Sequence, residues 1–329
     1  MMRVAILGLG SVGRGVASML ARKGLGITVT GIADSKSGVC DPAGIDVAAV
    51  LEKKAKTGLC GDPAVTARSI AEGGEYDVLV EVTPTDVETG EPALTHIRAA
   101  LAMGKHVVTS NKGPMALYFR DLTALAEEHG VQLRYEATVC GAIPIIQTIQ
   151  HGLAGNTVHA VYGVMNGTCN YILTRMADEG LTYDQALAEA RELGYAEADP
   201  TFDVKGIDTA LKLVILANTI WNNGVTLKDV ECTGIDLLTA EALTLAGSQN
   251  STIRLIGEVV PEMGLLRVSP RILPKKHPLV VRDTLNAVTV VTDMAGAITE
   301  VGKGAGSVET ASAVIGDLLF IKNCHVKGH

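Results

Sequence analysis

The sequence predicts an α/β protein of two domains: a doubly wound N-terminal domain with a parallel sheet between helices, followed by an α+β domain. Three observations support this prediction. Strand-like and helical runs alternate as far as Tyr135, a glycine-rich turn follows the first strand-like run, and the chain becomes rich in glycine and small residues directly after Tyr135. Alternating strands and helices are typical of α/β folds, in which right-handed crossovers place helices on both faces of one sheet.

The individual elements follow the periodicity of the apolar residues. In the first domain this predicts strands at residues 4–7, 27–33, 77–82, 106–109 and 131–135, and helices at 12–22, 92–103 and 115–129. In the second it predicts helices at 145–153, 171–179, 183–193 and 207–219, and strands at 158–164, 265–268 and 288–292. A last helix at 307–320 is expected to return to the first domain. We therefore expect a first domain of residues 1–135 plus about 305–322, and a second domain of residues 136–304.

The composition argues against several classes of protein. A net charge of −8 makes nucleic acid and anionic membranes poor partners. The longest apolar run, residues 211–220, contains Lys212 and Asn218 and falls short of the roughly 18–20 residues of a membrane span. We find no signal-peptide pattern and expect a cytoplasmic protein. The six cysteines lack CxxC spacing, so we expect reduced thiols, most of them buried.

A glycine motif follows the first strand and opens the first helix, with the sequence Gly8-Leu9-Gly10-Ser11-Val12-Gly13. Gly8 permits a tight turn, Gly10 lets the backbone approach a pyrophosphate, and Gly13 allows the helix to pack closely on the strand. The unpaired N–H groups of the helix start carry a partial positive charge that suits phosphates. In this context the motif predicts a dinucleotide site, the alternative being a glycine turn in a cofactor-free fold.

Asp34, which comes directly after the second strand, bears on the choice of dinucleotide. An acid at this position accepts hydrogen bonds from the adenosine ribose and repels a 2′-phosphate, which favours NAD over NADP. It could equally be a solvated turn residue. Four nearby cations could instead bind a 2′-phosphate: Arg14, Lys36, Lys53 and Lys54. The preference for NAD is therefore weak.

A cluster of acids and lysines precedes and enters the most apolar helix. The loop 194–200 contains Glu197, and the helix that follows carries Asp208 and Lys212, four residues apart and hence on one face. On an exposed face such a pair would be a minor surface ion pair. The neighbouring residues are almost all apolar, so we expect Lys212 to line a cleft, where desolvation lowers its pKa and makes it a usable acid or base.

Two further segments could present polar groups to a ligand. Lys112 follows the fourth strand, and ligands of doubly wound sheets bind beyond the carboxyl ends of the strands. The alternative is an exposed loop lysine. Residues 166–170, Asn-Gly-Thr-Cys-Asn, could be no more than a turn with a helix cap, or could contact a substrate.

Taken together, these segments resemble homoserine dehydrogenases over nearly the whole chain. The matching motifs are GLGSVG from Gly8, SNKGP from Ser110, EATVCGAIPII from Glu136, NGTCNYIL from Asn166, GYAEADPTFDVKGIDTALKL from Gly194 and GKGAG from Gly302. The fifth is the most specific, because its acids and lysine occur at fixed spacing. Cys169 stands where the family often has threonine and Cys140 where a small residue is common, and neither removes a functional group.

The resemblance implies an NAD(P)-dependent oxidoreductase that acts on a CH–OH group. Its small-molecule substrates are L-homoserine and L-aspartate 4-semialdehyde, in the aspartate-derived route to threonine and methionine. A Rossmann domain is joined to a domain that provides the substrate site and a homodimer interface. Glu197 and Asp208 would bind homoserine, Lys212 would transfer the proton, and Lys112 would be a second catalytic lysine. The cofactor contacts would be Gly8, Gly10, Ser11, Val12, Gly13, Asp34, Thr83, Lys112 and Gly304.

The resemblance also implies a sodium or potassium ion near the domain hinge, held by the backbone carbonyls of Glu136, Val139, Gly141 and Ile143. Relatives with a fused aspartate kinase or a C-terminal ACT domain are longer, so threonine feedback through that route is not expected. In the favoured mechanism a hydride reaches the semialdehyde carbonyl while Lys212 delivers a proton to its oxygen.

Three other functions are compatible with parts of this sequence. An aspartate semialdehyde dehydrogenase needs a nucleophilic cysteine with a nearby base, and no cysteine here has an obvious histidine companion. An amino-acid dehydrogenase or imine reductase would share the architecture. A regulatory protein that senses NAD(P)H would keep the glycine motif but would not need Glu197, Asp208 and Lys212.

Overall fold

A computed structural model describes residues 1–326 as two compact units. The first unit comprises Met1–Gly141 and the chain from Gly306 onwards, and the second comprises Ala142–Ala305. Each unit has a six-stranded sheet of its own.

The first unit contains a doubly wound sheet with strand order β3-β2-β1-β4-β5-β6. Its strands are β1 Met2–Leu7, β2 Ile27–Ala33, β3 Gly38–Cys40, β4 Val78–Glu81, β5 His106–Thr109 and β6 Leu133–Arg134. All neighbours are parallel except β2 and β3. The five predicted strands are parallel, as expected, and β3, which was not predicted, adds an antiparallel edge. A tight turn at Asp34–Ser37 reverses the chain, and β3 is too short to show a periodicity.

The helices of this unit cover the sheet: α1 Ser11–Lys23, α2 Val47–Thr57, α3 Ala67–Gly73, α4 Ala93–Ala102, α5 Lys112–Leu117 and α6 Phe119–Glu128. The prediction of a single helix over 115–129 was wrong. The chain leaves helical geometry at Tyr118, so two helices, α5 and α6, occupy this segment. Sequence analysis also missed α2 and α3. Side-chain caps from Asp46 and Thr66 begin these two helices.

The second unit contains a mostly antiparallel sheet with strand order β12-β11-β7-β9-β10-β8. Its elements in chain order are α7 Ile145–Gln147, which continues as a π-helical turn at Thr148–Gly152, β7 Val158–Val164, α8 Gly167–Glu179, α9 Tyr183–Glu192, α10 Thr201–Val204, α11 Ile207–Trp221, β8 Glu231–Cys232, α12 Ala240–Ser248, β9 Ser251–Val260, β10 Leu265–Pro274, β11 Leu285–Thr292 and β12 Ala297–Lys303. Helices α8, α11 and α12 contact β9, so β9 and α11 are almost completely buried. The α+β prediction is confirmed.

The last helix, α13 Ser307–Val326, belongs to the first unit and packs along α1, as expected. A Cβ at Gly15 would lie 2.7 Å from the carbonyl oxygen of Ser307, so the two helices touch closely. Farther along, the buried Asp317 carboxylate accepts a hydrogen bond from the backbone N–H of Glu136 (3.0 Å). The helix therefore supports the start of α1, where the glycine motif lies.

All six cysteines are free thiols, but the expectation that most are buried was wrong. Cys60, Cys140 and Cys169 are buried, whereas Cys40, Cys232 and Cys324 are exposed. Within residues 1–326, no helix is both long and apolar enough to cross a membrane.

Candidate active site

The glycine motif forms a tight turn between β1 and α1 in the first unit. Gly8 has a φ of 99°, a conformation that favours glycine, and a Cβ there would lie 2.4 Å from the carbonyl oxygen of Val82. A Cβ at Gly13 would lie 1.9 Å from the carbonyl oxygen of Gly8. Neither position can accept a side chain without movement of the backbone, so both glycines are required by the turn itself.

Gly10 differs from these two glycines because open space surrounds it. It is exposed, and a Cβ built on it would meet no atom within 4 Å. It is the N-cap of α1, no side chain caps the helix, and the first turn holds no acidic residue. The backbone N–H groups at the start of the helix, from Ser11 and Val12 onwards, are thus suited to an anionic group. This end of the sheet fits the pyrophosphate of a dinucleotide.

Asp34 lies just after β2 and is paired with a lysine. Its carboxylate forms an ion pair with Lys54 on α2, and its Oδ1 accepts hydrogen bonds from the backbone N–H groups of Lys36 (2.8 Å) and Ser37 (3.0 Å). Burial raises the pKa of Asp34, but these hydrogen bonds outweigh burial and hold the pKa below its usual value. Asp34 is thus ionised near neutral pH, with a cation beside it that weakens the argument for repulsion of a 2′-phosphate.

Lys112 and Thr83 lie at the carboxyl ends of neighbouring parallel strands. Lys112 is the first residue of α5, directly after β5, and its N-cap Asn111 donates from Nδ2 to the carbonyl oxygens of Thr83 and Pro84, each at 3.2 Å. The fully buried Glu81 accepts hydrogen bonds from the backbone N–H and the hydroxyl of Thr83. These contacts fix the ends of β4 and β5 to each other.

The Lys212–Asp208 pair is the centre of the polar cluster in the second unit. Both residues lie on α11, and each is only 5 % exposed. Lys212 Nζ donates to Asp208 Oδ2 at 2.7 Å and to the carbonyl oxygen of Met165 at 2.6 Å. Asp208 Oδ2 also accepts a hydrogen bond from Asn166 Nδ2 at 3.0 Å. The pair is a buried, hydrogen-bonded ion pair and not a surface pair.

Asn166 and Cys169 extend this cluster at the start of α8. Asn166 Nδ2 also donates to Asp203 Oδ1 at 2.6 Å, so one amide nitrogen contacts two carboxylates. The Cys169 thiol donates to the carbonyl oxygen of Asp203 at 3.2 Å. Burial raises the pKa of Cys169 well above its usual value, and the Asp203 and Asp208 charges add to this effect. Cys169 is therefore a neutral thiol and a weak nucleophile.

Glu197 lies on the exposed loop between α9 and α10. Two contacts hold this loop: Thr168 Oγ1 donates to the carbonyl oxygen of Tyr195 at 2.6 Å, and Arg191 Nη2 donates to that of Ala198 at 3.1 Å. The Tyr195 ring packs on that of Tyr171, with centroids 4.9 Å apart. The loop is thus held against the start of α8 by Thr168, which lies two residues after Asn166.

The remaining predicted residues lie in segments with backbone contacts of their own. A Cβ at Gly304 would lie 2.0 Å from Asn286 Nδ2, so packing inside the second unit already requires glycine there. Of the carbonyls predicted to bind a cation, that of Glu136 accepts from the Val139 N–H (3.2 Å) and that of Ile143 from the Ile145 N–H (2.9 Å). The cation and the position of Gly304 near the cofactor stay predictions. Within residues 1–326, no group of three or more His, Cys, Asp or Glu side chains could hold a metal ion.

The sequence does not indicate the role of Glu81, and it leaves the role of Asn166 open. The segment 166–170 predicts either a helix cap or a polar contact, and in the structure Asn166 is both a cap and a partner of Asp208. Its partners Asp203 and Asp208 are 37 and 42 residues away, so only the folded chain shows which role it has.

The glycine turn at the carboxyl ends of a parallel sheet, with a buried lysine–carboxylate pair in a second unit, defines the class of protein: an oxidoreductase that uses a nicotinamide dinucleotide. Family models identify its particular kind. Residues 8–136 match the homoserine dehydrogenase NAD-binding domain, and residues 144–319 match the homoserine dehydrogenase domain. The chain belongs to the homoserine dehydrogenase family.

Individual relatives agree with this assignment over their full length. The homoserine dehydrogenase of Methanocaldococcus jannaschii is 44 % identical, with 98 % of this chain and 99 % of the relative covered. An NAD(+)-dependent homoserine dehydrogenase of Pseudomonas canavaninivorans is 36 % identical, with 97 % and 96 % covered. A crystal structure assigned to homoserine dehydrogenase from Archaeoglobus fulgidus has a TM-score of 0.92 and 47 % identity, with 98 % and 99 % covered.

Proposed function

We propose that this homoserine dehydrogenase interconverts L-homoserine and L-aspartate 4-semialdehyde in the aspartate-derived route to threonine and methionine. The observation that carries the mechanistic part of this proposal is the buried Lys212–Asp208 pair, in a chain with an open dinucleotide turn. A nicotinamide dinucleotide, when bound, supplies the hydride to C4 of the semialdehyde or accepts it from C4 of homoserine. The residues of the chain must then bind the amino acid and handle the proton on the C4 oxygen.

Lys212 is the residue we assign to proton transfer. As an ammonium group it can donate a proton to the carbonyl oxygen of the semialdehyde, and as an amine it can accept the hydroxyl proton of homoserine. Asp208 stabilises the ammonium form from 2.7 Å and keeps the Nζ group on one side of α11. We assign Glu197 and Asp208 to homoserine binding, and Lys112 to a second catalytic role at the end of β5.

The cofactor is proposed to be NAD or NADP, with a weak preference for NAD. Gly8, Gly10 and Gly13 would shape the turn that holds the pyrophosphate, with Ser11 and Val12 providing backbone N–H groups. Asp34 would accept hydrogen bonds from the adenosine ribose, while Lys54 limits the discrimination against a 2′-phosphate. Thr83, Lys112 and Gly304 would contact other parts of the cofactor.

The test is an assay of the purified protein with each dinucleotide. L-Homoserine should reduce NAD or NADP, and L-aspartate 4-semialdehyde should oxidise the reduced cofactor, while L-serine and L-threonine should support little turnover. Oxidation of the semialdehyde that depends on phosphate would instead indicate an aspartate semialdehyde dehydrogenase. Binding of reduced cofactor without turnover of any substrate would favour the regulatory alternative.

Three further expectations from the family resemblance belong to the proposal: a homodimer formed through the second unit, a cytoplasmic location, and a sodium or potassium ion on the carbonyls of Glu136, Val139, Gly141 and Ile143. These carbonyls belong to a segment in which Cys140 and Gly141 have φ values of 54° and 51°.

A further inference from the structure

The turn between β7 and α8 gives a partner to each half of the Lys212–Asp208 pair. The carbonyl oxygen of Met165 accepts from Lys212 Nζ at 2.6 Å, and the adjacent Asn166 donates from Nδ2 to Asp208 Oδ2 at 3.0 Å. The ammonium therefore meets a carbonyl dipole and the carboxylate meets an amide N–H. Two consecutive residues thus fix the direction of an ion pair that lies on another helix.

The side-chain nitrogen of Asn166 donates hydrogen bonds to a second carboxylate as well. Its Nδ2 donates to Asp203 Oδ1 at 2.6 Å as well as to Asp208, so its two N–H groups separate two acids. Asn166 is 5 % exposed, as is Asp208. Repulsion between carboxylates and the cost of an unpaired polar group are both larger in such a buried environment than in water. Without the amide, Asp208 would lose this hydrogen bond, and residue 166 would no longer offer a donor shared by the two carboxylates.

We propose that Asn166 is a positioning residue for the reaction: it holds Asp208, and through Asp208 it holds Lys212 in the orientation needed for proton transfer. This inference rests on the proposed function, in which Lys212 moves the proton. Asn166 contacts both acids, so we assign it to positioning and not to proton transfer.

Asn166 also has a structural role, which uses its other side-chain atom. Its Oδ1 accepts a hydrogen bond from the Cys169 N–H at 2.9 Å and caps the N-terminus of α8. Serine and aspartate are about as good N-caps as asparagine, but neither offers the amide N–H pair. The variants Asn166→Ser and Asn166→Asp therefore keep the cap and remove the contact with the acids.

The experiment compares these two variants with the wild type and with Asn166→Ala in the full-length enzyme. We expect kcat with saturating homoserine to fall about tenfold to hundredfold in all three, the range for loss of a hydrogen bond to a charged group. The KM for the cofactor should stay unchanged. The Tm should fall least in Asn166→Ser, which keeps the cap, and by roughly a further 2–4 °C in Asn166→Ala, which also loses the cap. It should fall most in Asn166→Asp, which adds a third carboxylate beside Asp203 and Asp208.

A cap elsewhere in the second unit provides the matched control. Thr182 caps α9 by accepting from the Gln185 N–H, and Thr182→Ala should lower Tm to a similar extent with kcat unchanged. A wild-type kcat in both Asn166→Ser and Asn166→Asp would overturn the inference and leave Asn166 as a cap alone.

A double-mutant cycle tests the route through Asp208. If Asn166 acts on Asp208, then Asn166→Ser combined with Asp208→Asn should have a kcat no lower than that of Asp208→Asn alone. If the factors by which the two substitutions lower kcat multiply in the double variant, the inference would be overturned. Lys212→Ala separates this failure from that of the role proposed for Lys212. A Lys212→Ala enzyme with near wild-type kcat would overturn both the proton-transfer role of Lys212 and the positioning role of Asn166, whereas an inactive Lys212→Ala enzyme together with a wild-type kcat in Asn166→Ser would overturn the positioning role only.

Discussion

The glycine turn of the first unit and the Lys212–Asp208 pair of the second differ in what they leave for a ligand. At the turn, the groups that are open to a ligand are backbone N–H groups, and the essential feature is the absence of side chains at Gly8, Gly10 and Gly13. At the pair, the groups are charged side chains, both buried and already hydrogen-bonded to other residues.

This difference has a consequence for substitutions. A turn formed by glycines is disturbed by any added side chain. At Gly8 and Gly13 a side chain would clash with the backbone and affect folding, whereas at Gly10 it would affect the binding of a ligand. A charged pair in a buried site is damaged by the loss of an atom, and the groups left behind lose their partner. Variants at the two regions should therefore separate cofactor binding from chemistry.

The largest effect is expected at Lys212. If it transfers the proton, Lys212→Ala should lower kcat by roughly 10²–10⁴-fold, the usual contribution of general acid–base catalysis. Cofactor binding, measured by fluorescence titration, should change little, because the glycine turn belongs to the other unit. Lys205→Ala, which removes an exposed lysine paired with Asp236, is the control and should remain active. A Lys212→Ala enzyme with near wild-type kcat would make Lys112 the better candidate.

The next effect is expected at Gly10, the glycine with open space around it. Gly10→Ala should lower Tm by no more than about 2 °C, since its Cβ meets no atom within 4 Å and only the preference of the N-cap for glycine over alanine is lost. It should raise the Kd for the dinucleotide about tenfold to hundredfold, because the methyl group would occupy the space of the phosphates and weaken charged hydrogen bonds. Gly73→Ala, also with no atom within 4 Å, should change neither quantity. An unchanged Kd would place the phosphates elsewhere.

Glu197 should affect substrate binding more than turnover. Glu197→Ala should raise the KM for homoserine by roughly tenfold or more, the range for a lost charge-assisted hydrogen bond, with a smaller change in kcat. Glu192→Ala, at the exposed end of α9, is the matched control and should behave as the wild type. Equal falls in kcat and kcat/KM would assign Glu197 to the transition state instead of to binding.

Asp34 and Lys54 should move cofactor selectivity in opposite directions. Asp34→Ser removes the acid that disfavours a 2′-phosphate and should lower the NAD-to-NADP ratio of kcat/KM by about tenfold. Lys54→Ala removes the cation beside Asp34 and should raise that ratio. Lys56→Ala, on the same helix but paired with Glu52, should leave it unchanged. Shifts of the same sign in both Asp34→Ser and Lys54→Ala would show that the pair does not set selectivity.

The smallest effect is expected at Cys169, in spite of its place beside the acids. Alkylating reagents react with the thiolate form of cysteine. Burial, together with the charges of Asp203 and Asp208, raises the pKa of the Cys169 thiol. The thiol is protonated below that raised pKa, so Cys169 should resist iodoacetamide from pH 7 to pH 9, as measured by mass spectrometry of peptides. The exposed Cys324 should be labelled under the same conditions. Labelling of Cys169 with loss of activity would contradict this account.

The sequence by itself determined the features that depend on neighbours along the chain. The glycine turn was predictable because Gly8, Gly10 and Gly13 satisfy local needs of a strand–turn–helix connection. The shared face of Asp208 and Lys212 follows from their spacing on one helix, and the existence of α13 follows from the helical run that comes after the glycines at 302, 304 and 306.

The tertiary structure decided which groups these residues meet. Only the folded chain brings Lys54 to Asp34, or Asn166 to Asp203 and Asp208, because each contact joins elements 20 to 42 residues apart. Two further features appear only in the tertiary structure: β3 pairs antiparallel at the edge of the first sheet, and the segment 115–129 forms two helices that meet at Tyr118. Periodicity reports which face of an element is buried. The partners of a buried polar group depend on packing between elements, for which a local pattern carries no signal.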